Sequence, residues 1–285
     1  RGPGFGAGRL TDPERCASLD AYTTGVGLER RVAALAGPHT LAPSSMTAAP
    51  ETSRSSPVPR ESALRECSVP IPSRFDTLRR ELRGQWATEL CKRVVDVVAA
   101  IAGLLLFLPL LPFLAVVIKL ESRGPLLFRQ TRIGRDGHPF TCYKIRSMVQ
   151  DAEGLKDKYA HLNEADGAAF KIRQDPRITR VGRFVRRSSL DEFPQLLNVL
   201  RGDMSIVGPR PQIPAEVAAY EERHKARLLV KPGITCLWQV SGRNDVDFEE
   251  WMRLDREYVE RRSLALDFSI LLRTLPAVIH RRGAY

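Results

Sequence analysis

The sequence predicts a helix-rich α+β protein that is monotopic, held on one face of a membrane by a proline-broken re-entrant helix, with one β-hairpin and interfacial amphipathic helices. Three observations point there. An uncharged run of 22 residues, "VVAAIAGLLLFLPLLPFLAVVI" at Val97–Ile118, holds two prolines and is basic at both ends. An Asp136-Gly137 pair joins two short strand-like segments, a strong hairpin signal. Apolar residues then recur at helical spacing around Leu196–Leu200, Phe248–Val259 and Leu264–Ile279.

Residues 1–74 are rich in Gly, Pro, Ser, Thr, Ala and Arg and hold no sustained period of either regular element. They read as a disordered tail, unable to bury enough apolar surface to fold. The glycines of "GPGFGAG" lack the preceding strand and following helix of a phosphate-binding loop. The first methionine is Met46, so either the natural start lies there, downstream of Arg1, or the chain is a fragment, and no apolar stretch near Arg1 resembles a cleavable signal. Residues 75–93 are expected to form an amphipathic lead-in, 94–120 the membrane helix and 121–285 a cytosolic body.

As a straight helix, Val97–Ile118 would be roughly 33 Å long, enough to cross a hydrocarbon core. Two features favour a re-entrant hairpin. Pro109 and Pro112 each remove a backbone donor and crowd the preceding turn, so a break or sharp kink is expected. Lys92 and Arg93 precede the segment, and Lys119, Arg123, Arg129 and Arg132 follow it, so the cytoplasmic preference of basic flanks draws both ends to one side. A kinked full span is the alternative topology. A buried core helix is a third, although such helices carry more polar punctuation.

The hairpin follows in "GPLLFRQTRIGRDGHPFTCYKIRSM". Strand alternation places Gln130 with Arg132, and Lys144 with Arg146, on shared faces, either as a basic binding surface or as a solvated one. Farther on, Asp247 and Glu250 have the spacing of a helix N-cap, and Phe248, Trp251, Met252, Leu254, Tyr258 and Val259 make an apolar face. Leu264–Ile279, charged only at Asp267 and Arg273, is expected to pack on the core or lie at the lipid interface.

The net charge of +11 predicts an acidic partner: nucleic acid, an anionic leaflet or a phosphorylated substrate. Five scattered cysteines without a C-x-x-C pair, and five dispersed histidines, indicate neither a disulfide framework nor a zinc cage.

The sharpest local signal is "RRSSLDEFPQLLNVLRGDMSIVGPRP" at 186–211. Ser189 and Glu192 have capping-box spacing, which predicts a helix from about Leu190 with Asp191 and Glu192 in its first turn and Leu196, Leu197 and Leu200 as its buried stripe. Acids at a helix start are ordinary helix chemistry. Their company is less ordinary. Arg186 and Arg187 precede them, and Arg210 follows between two prolines that fix its backbone. Arginine is suited to bidentate phosphate recognition, and a carboxylate among arginines is expected to stay ionised, available as a nucleophile or metal ligand.

The run from "KRVVD" through "GPLLFRQTRIG", "KIRSM", "DPRITRVGRFVRRSSLDEFPQLLNVLRGDMSIVGPRP" and "KPGITCLWQVSGRN" to the final "GAY" resembles the bacterial sugar transferases, the monotopic polyprenyl-phosphate phosphoglycosyl transferases. The resemblance covers residues 86–285, with several motifs in order. It implies an Asp191-Glu192 dyad acting with Mg²⁺, in which both carboxylates serve the metal and Asp191 attacks the β-phosphate of a UDP-sugar, glucose or galactose being favoured. UMP leaves, and polyprenyl phosphate, usually undecaprenyl phosphate, then takes the phosphosugar, starting assembly of an exopolysaccharide, capsule, O-antigen or glycoprotein glycan. It also implies the cytoplasmic leaflet of the bacterial inner membrane as the location, with downstream glycosyltransferases as partners. Lys144, Arg146, Arg187, Gln195, Arg210 and Arg243 are the candidate substrate-binding residues, the last in the loop "WQVSGRN", where Trp238 reads equally as packing. Larger relatives carry further transmembrane helices and another domain ahead of this part.

Two other classes compete. A nucleic-acid binder would account for the charge, but it predicts interleaved aromatics or a reading helix and leaves Val97–Ile118 without a role. An inactive membrane scaffold of a polysaccharide assembly would not need an intact Asp191-Glu192 pair.

Overall fold

The computed structural model describes residues 68–164, 172–241 and 246–279. The expectations for residues 1–67, for the start at Met46, for Arg243 and for the final "GAY" lie outside the described residues. Residues 68–74, assigned to the tail by composition, touch the body: Val69 N donates to the Gly137 carbonyl at 3.0 Å, and Ile71 packs beside the core.

Helix α1, Asp76–Gly84, lies within the stretch 75–93 expected as the lead-in and buries Leu82. Helix α2, Trp86–Phe107, then runs through a 3-10 turn at Leu108–Leu110 into helix α3, Leu111–Glu121. Trp86–Glu121 is long and apolar enough to cross a membrane. Pro109 and Pro112 fall at this 3-10 turn and the first turn of α3, where missing donors cost least. The backbone stays helical across the turn, so the prolines tighten the helix without ending it. Phe107, Leu114 and Ile118 keep one buried face through the interruption, while Leu106 is 78% and Leu120 83% exposed.

Both ends of this apolar stretch are tied to the same body. At its base Lys92 bonds Asp267 at 2.5 Å and the Val207 carbonyl at 3.0 Å, and Asp96 accepts from Ser205 Oγ and Ile206 N. At its far end Glu121 accepts from the backbone N–H groups of Arg180 and Val181. Lys92 and Arg93, counted in the sequence as flanking charge, are therefore structural ties, Arg93 donating to the carbonyls of Val199 and Leu200.

Strands β1, Leu127–Ile133, and β2, Pro139–Ile145, form the predicted antiparallel hairpin, with Gln130 opposite Cys142. Asp136 and Gly137 both take positive φ, 57° and 76°, as the tight turn requires. Beyond it come helix α4, Arg180–Arg187, helix α5, Gln195–Arg201, and a short parallel pair of β3, Ser205–Val207, with β4, Gly233–Thr235. Between the last two lies α6, Pro214–Ala218, and after β4 comes α7, Leu237–Ser241.

Helix α8, Phe248–Arg261, starts as predicted: the Asp247 side chain accepts from Glu250 N at 2.7 Å, and Met252, Leu254, Tyr258 and Val259 are buried. Helix α9, Leu264–Ile279, packs on the core through Asp267 and Ile270 and leaves Leu264, Phe268 and Leu272 exposed. The main core joins α1, β3, α8 and α9, and a second cluster seats Ala100 of α2 on Leu196 and Val199 of α5.

Candidate active site

Asp191 and Glu192 lie in a 3-10 turn, Leu190–Glu192, between α4 and α5. The expected capping box does not form. Ser188 Oγ donates to the carbonyls of Phe184 and Val185, and Ser189 takes φ 56°, the left-handed conformation that closes a helix C-terminus. The two serines therefore end α4 instead of starting α5, and the next helix begins after Pro194. This shift also changes the buried stripe: Leu196, Asn198 and Val199 are inside, and Leu197 is exposed.

Four basic groups converge on the acid pair. Arg210 Nη2 donates to Glu192 Oε1, and Lys144 Nζ lies 4.0 Å from the same oxygen. Arg186, whose Nε donates to Ser147 Oγ at 2.8 Å, acts electrostatically on Asp191, and Arg132 acts on Glu192. Each is held by its scaffold. Lys144 stands on β2, which Asn198 stitches to α5: its Nδ2 donates to the Thr141 carbonyl at 2.7 Å, and its Oδ1 accepts from Tyr143 N at 3.1 Å.

The Gly-Pro-Arg-Pro turn is pinned from three sides. Gly208 N donates to the Thr235 carbonyl and Gly233 N to that of Pro209. Arg132 Nη1 donates to the Pro211 carbonyl at 3.0 Å, and Arg227 Nη2 to that of Arg210 at 2.5 Å. Arg227 is buried, paired with Asp255 at 2.8 Å and bonded to the Tyr220 hydroxyl at 2.6 Å.

The two carboxyls are driven apart. Burial, aided by the neighbouring Glu192 charge, pushes Asp191 up to about 6 against the pull of Lys144, Arg186 and Arg210. Burial also opposes ionisation of Glu192, yet Arg210 and Lys144 hold that carboxyl below its usual range. Arginines alone do not keep Asp191 fully ionised, as the sequence suggested; desolvation and a like charge outweigh them. Burial and Arg210 lower the Lys144 ammonium in turn.

Of the predicted binding residues, the structure gathers Lys144 and Arg210 at the dyad, with Gln195 buried at the start of α5 just beyond it. Two stand apart. Arg146 spends its guanidinium on the carbonyls of Ser122 and Arg123, bracing the chain where it leaves α3. Arg187 is exposed on the outer face of α4. Arg186, one residue earlier, takes the place expected of it, and helical phase would have separated the two. Arg227, Asp255 and Asn198 were not singled out because nothing in a sequence marks which distant backbone a buried side chain will reach.

Among the described residues no three or more His, Cys, Asp or Glu form a metal-binding group. Two adjacent carboxylates, one buried with its ionised form disfavoured by its neighbour, nevertheless fit Mg²⁺, which is commonly held by one or two carboxylates together with substrate phosphates.

Comparison with known proteins supplies the context. The profile of the family described as bacterial sugar transferase matches residues 87–281. The chain is 47% identical over 209 residues to a UDP-glucose:undecaprenyl-phosphate glucose-1-phosphate transferase of Caulobacter vibrioides, covering 70% of this chain and 73% of that protein. It is 45% identical over 196 residues to the galactosyl transferase CpsE of Streptococcus agalactiae, covering 68% of this chain but 43% of the relative, and 40% identical over 200 residues to the exopolysaccharide production protein ExoY of Rhizobium meliloti, covering 69% and 88%. The chain thus spans less than half the length of several of the curated relatives it matches.

Proposed function

The chain belongs to the bacterial sugar transferase family, and from that premise we propose that it moves a sugar 1-phosphate from a UDP-sugar to polyprenyl phosphate through a phosphosugar bound to Asp191. The observation that carries this reading is the buried Asp191, one residue from a Glu192 clamped by Arg210 and Lys144.

In the first step an Asp191 carboxylate oxygen bonds to the β-phosphorus of the donor. The bond from that phosphorus to the bridging oxygen breaks, and UMP leaves with the electron pair. In the second step an oxygen of polyprenyl phosphate attacks the same phosphorus, the bond to Asp191 breaks, and a polyprenyl-diphosphate sugar departs. A raised pKa suits the nucleophile, because a poorly solvated carboxylate is more reactive than one satisfied by water, while a value near 6 leaves it largely ionised at neutral pH. Glu192, kept anionic, holds Arg210 and Lys144 in position to meet the phosphate oxygens. Mg²⁺ would be held by Asp191 and Glu192 and would offset the charge of the approaching diphosphate.

Exposed Leu106, Leu108 and Phe113, with both ends of Trp86–Glu121 tied to one body, support a re-entrant placement in the cytoplasmic leaflet of the inner membrane. Trp86, Phe268 and Leu272 would lie at the interface beside it. Glucose and galactose are the favoured sugars, since relatives named for each lie at similar identity. Incubating detergent-solubilised protein with Mg²⁺, polyprenyl phosphate and a panel of UDP-sugars tests the reading: UMP release is expected with one sugar and lost in Asp191→Asn, and unchanged turnover in that variant would overturn it.

A further inference from the structure

Helix α4 carries Arg180, Arg183, Phe184 and Arg187 at the i, i+3, i+4, i+7 spacing of a single face, and all four are exposed, Phe184 at 57%. Among the described residues none of the three guanidinium groups has a carboxylate within ion-pair distance, although Arg180 lies near enough to Glu121 to help lower that carboxyl. A solvated helix face has no need of a large exposed aromatic ring between three unpaired arginines.

The opposite face of α4 is fixed to the apolar stretch. Val181 and Val185 pack with Phe107, Leu114 and Ile118, and Glu121 at the end of α3 caps the first two N–H groups of α4. Gly182 lies so close to the loop after β2 that an added Cβ would meet the Ser147 carbonyl oxygen at 1.9 Å, so α4 has no room to shift. The start of the basic face is therefore fixed beside Glu121, at the end of α3 where the chain leaves the apolar stretch.

We propose that this face of α4 binds the anionic phospholipid headgroups of the same bilayer, with Phe184 inserted among the acyl-chain ends and Arg180, Arg183 and Arg187 on the phosphates. The inference rests on the membrane placement proposed above and adds a lipid class and a named surface to it. Its consequence is positional. Because α4 runs into Ser189 and Asp191, and Arg186 faces Asp191 from its inner side, headgroup binding holds the acid pair at headgroup depth, where the phosphate of a lipid acceptor resides.

The test uses the full chain in vesicles whose lipids carry brominated acyl chains, and reads the added tryptophan emission of Phe184→Trp against the parent protein. Quenching of that emission is expected in phosphatidylglycerol vesicles and not in phosphatidylcholine vesicles. Each arginine near an anionic leaflet is worth roughly fivefold in local partition, so Arg180→Gln with Arg183→Gln, both at exposed positions, is expected to lower the contact by roughly 25-fold. The emission that Trp86→Phe removes is the control for the apolar helix. If it is quenched while Phe184→Trp is not, the inference falls and the membrane reading stands. Equal quenching in both lipids, indifferent to the arginine substitutions, would overturn the anionic-headgroup claim, and loss of quenching at both positions would overturn inference and membrane reading together.

Discussion

Arg227 holds the backbone of Arg210: its Nη2 donates to the Arg210 carbonyl oxygen at 2.5 Å while Arg210's own guanidinium reaches Glu192. A fully enclosed ion pair with Asp255 thus stands one bond behind the group that clamps the acid pair.

Arg227→Met leaves Asp255 buried without its partner, which is expected to destabilise the fold by roughly 3–5 kcal/mol. Adding Asp255→Leu removes the stranded charge and is expected to restore most of that stability without restoring turnover, because the Arg210 carbonyl still lacks its donor. Thermal unfolding in detergent beside UMP release separates the two effects. Recovery of both together would mean that the pair serves folding alone.

Asp191 also sets a stability window. Its folded pKa, about 6, lies above the unfolded value, so between roughly pH 4 and 6 the native state binds the extra proton and stability falls as pH rises through that range. The penalty at neutral pH is about 3 kcal/mol in order of magnitude. Asp191→Asn is therefore expected to melt higher than the parent at neutral pH and to lose this pH dependence, while also losing turnover. A variant that melts lower would contradict the buried, disfavoured carboxylate.

The same carboxyl predicts an acid limb. In the free enzyme kcat/KM for the donor is expected to fall as pH drops through about 6. Lys144 and Arg210 both pull Asp191 downward, so Lys144→Met and Arg210→Met are expected to move the limb to higher pH in addition to weakening donor binding. A pH–rate series on the three proteins checks the direction of the shift.

The hairpin, α8 and the apolar stretch were legible because their signals are local: Asp136-Gly137 for the turn, Asp247 with Glu250 for the cap, and an uncharged run too long for a small core. The acid pair was legible as a motif among arginines. Its local structure was not. Ser188 and Ser189 carry the same residue types whether they end one helix or start the next, and only the packing of α4 on Ser147 and the apolar helix decides between the two. Arg186 and Arg187 likewise differ by a rotation of the helix, which fixes one toward Asp191 and the other toward solvent. The raised pKa of Asp191 depends on burial, a property no neighbouring residue in the sequence announces.

Topology has a direct readout in thiol labelling. Exposed Cys91 marks the base of α2, and Leu120→Cys, at an 83% exposed position, marks the end of α3. A re-entrant helix predicts that both thiols react with an impermeant reagent in inverted vesicles and neither in right-side-out vesicles. Labelling of position 120 from the outer side would establish a full span instead.

The central claim, that Asp191 carries the phosphosugar, is tested most directly by mixing the protein with Mg²⁺ and its UDP-sugar in the absence of polyprenyl phosphate and measuring intact mass. The account predicts a burst of UMP that does not exceed the amount of protein, a mass increase of one sugar phosphate located on the peptide containing Asp191, and its release when polyprenyl phosphate is added. Full product formation with the lipid present, but neither UMP burst nor adduct without it, would contradict the account.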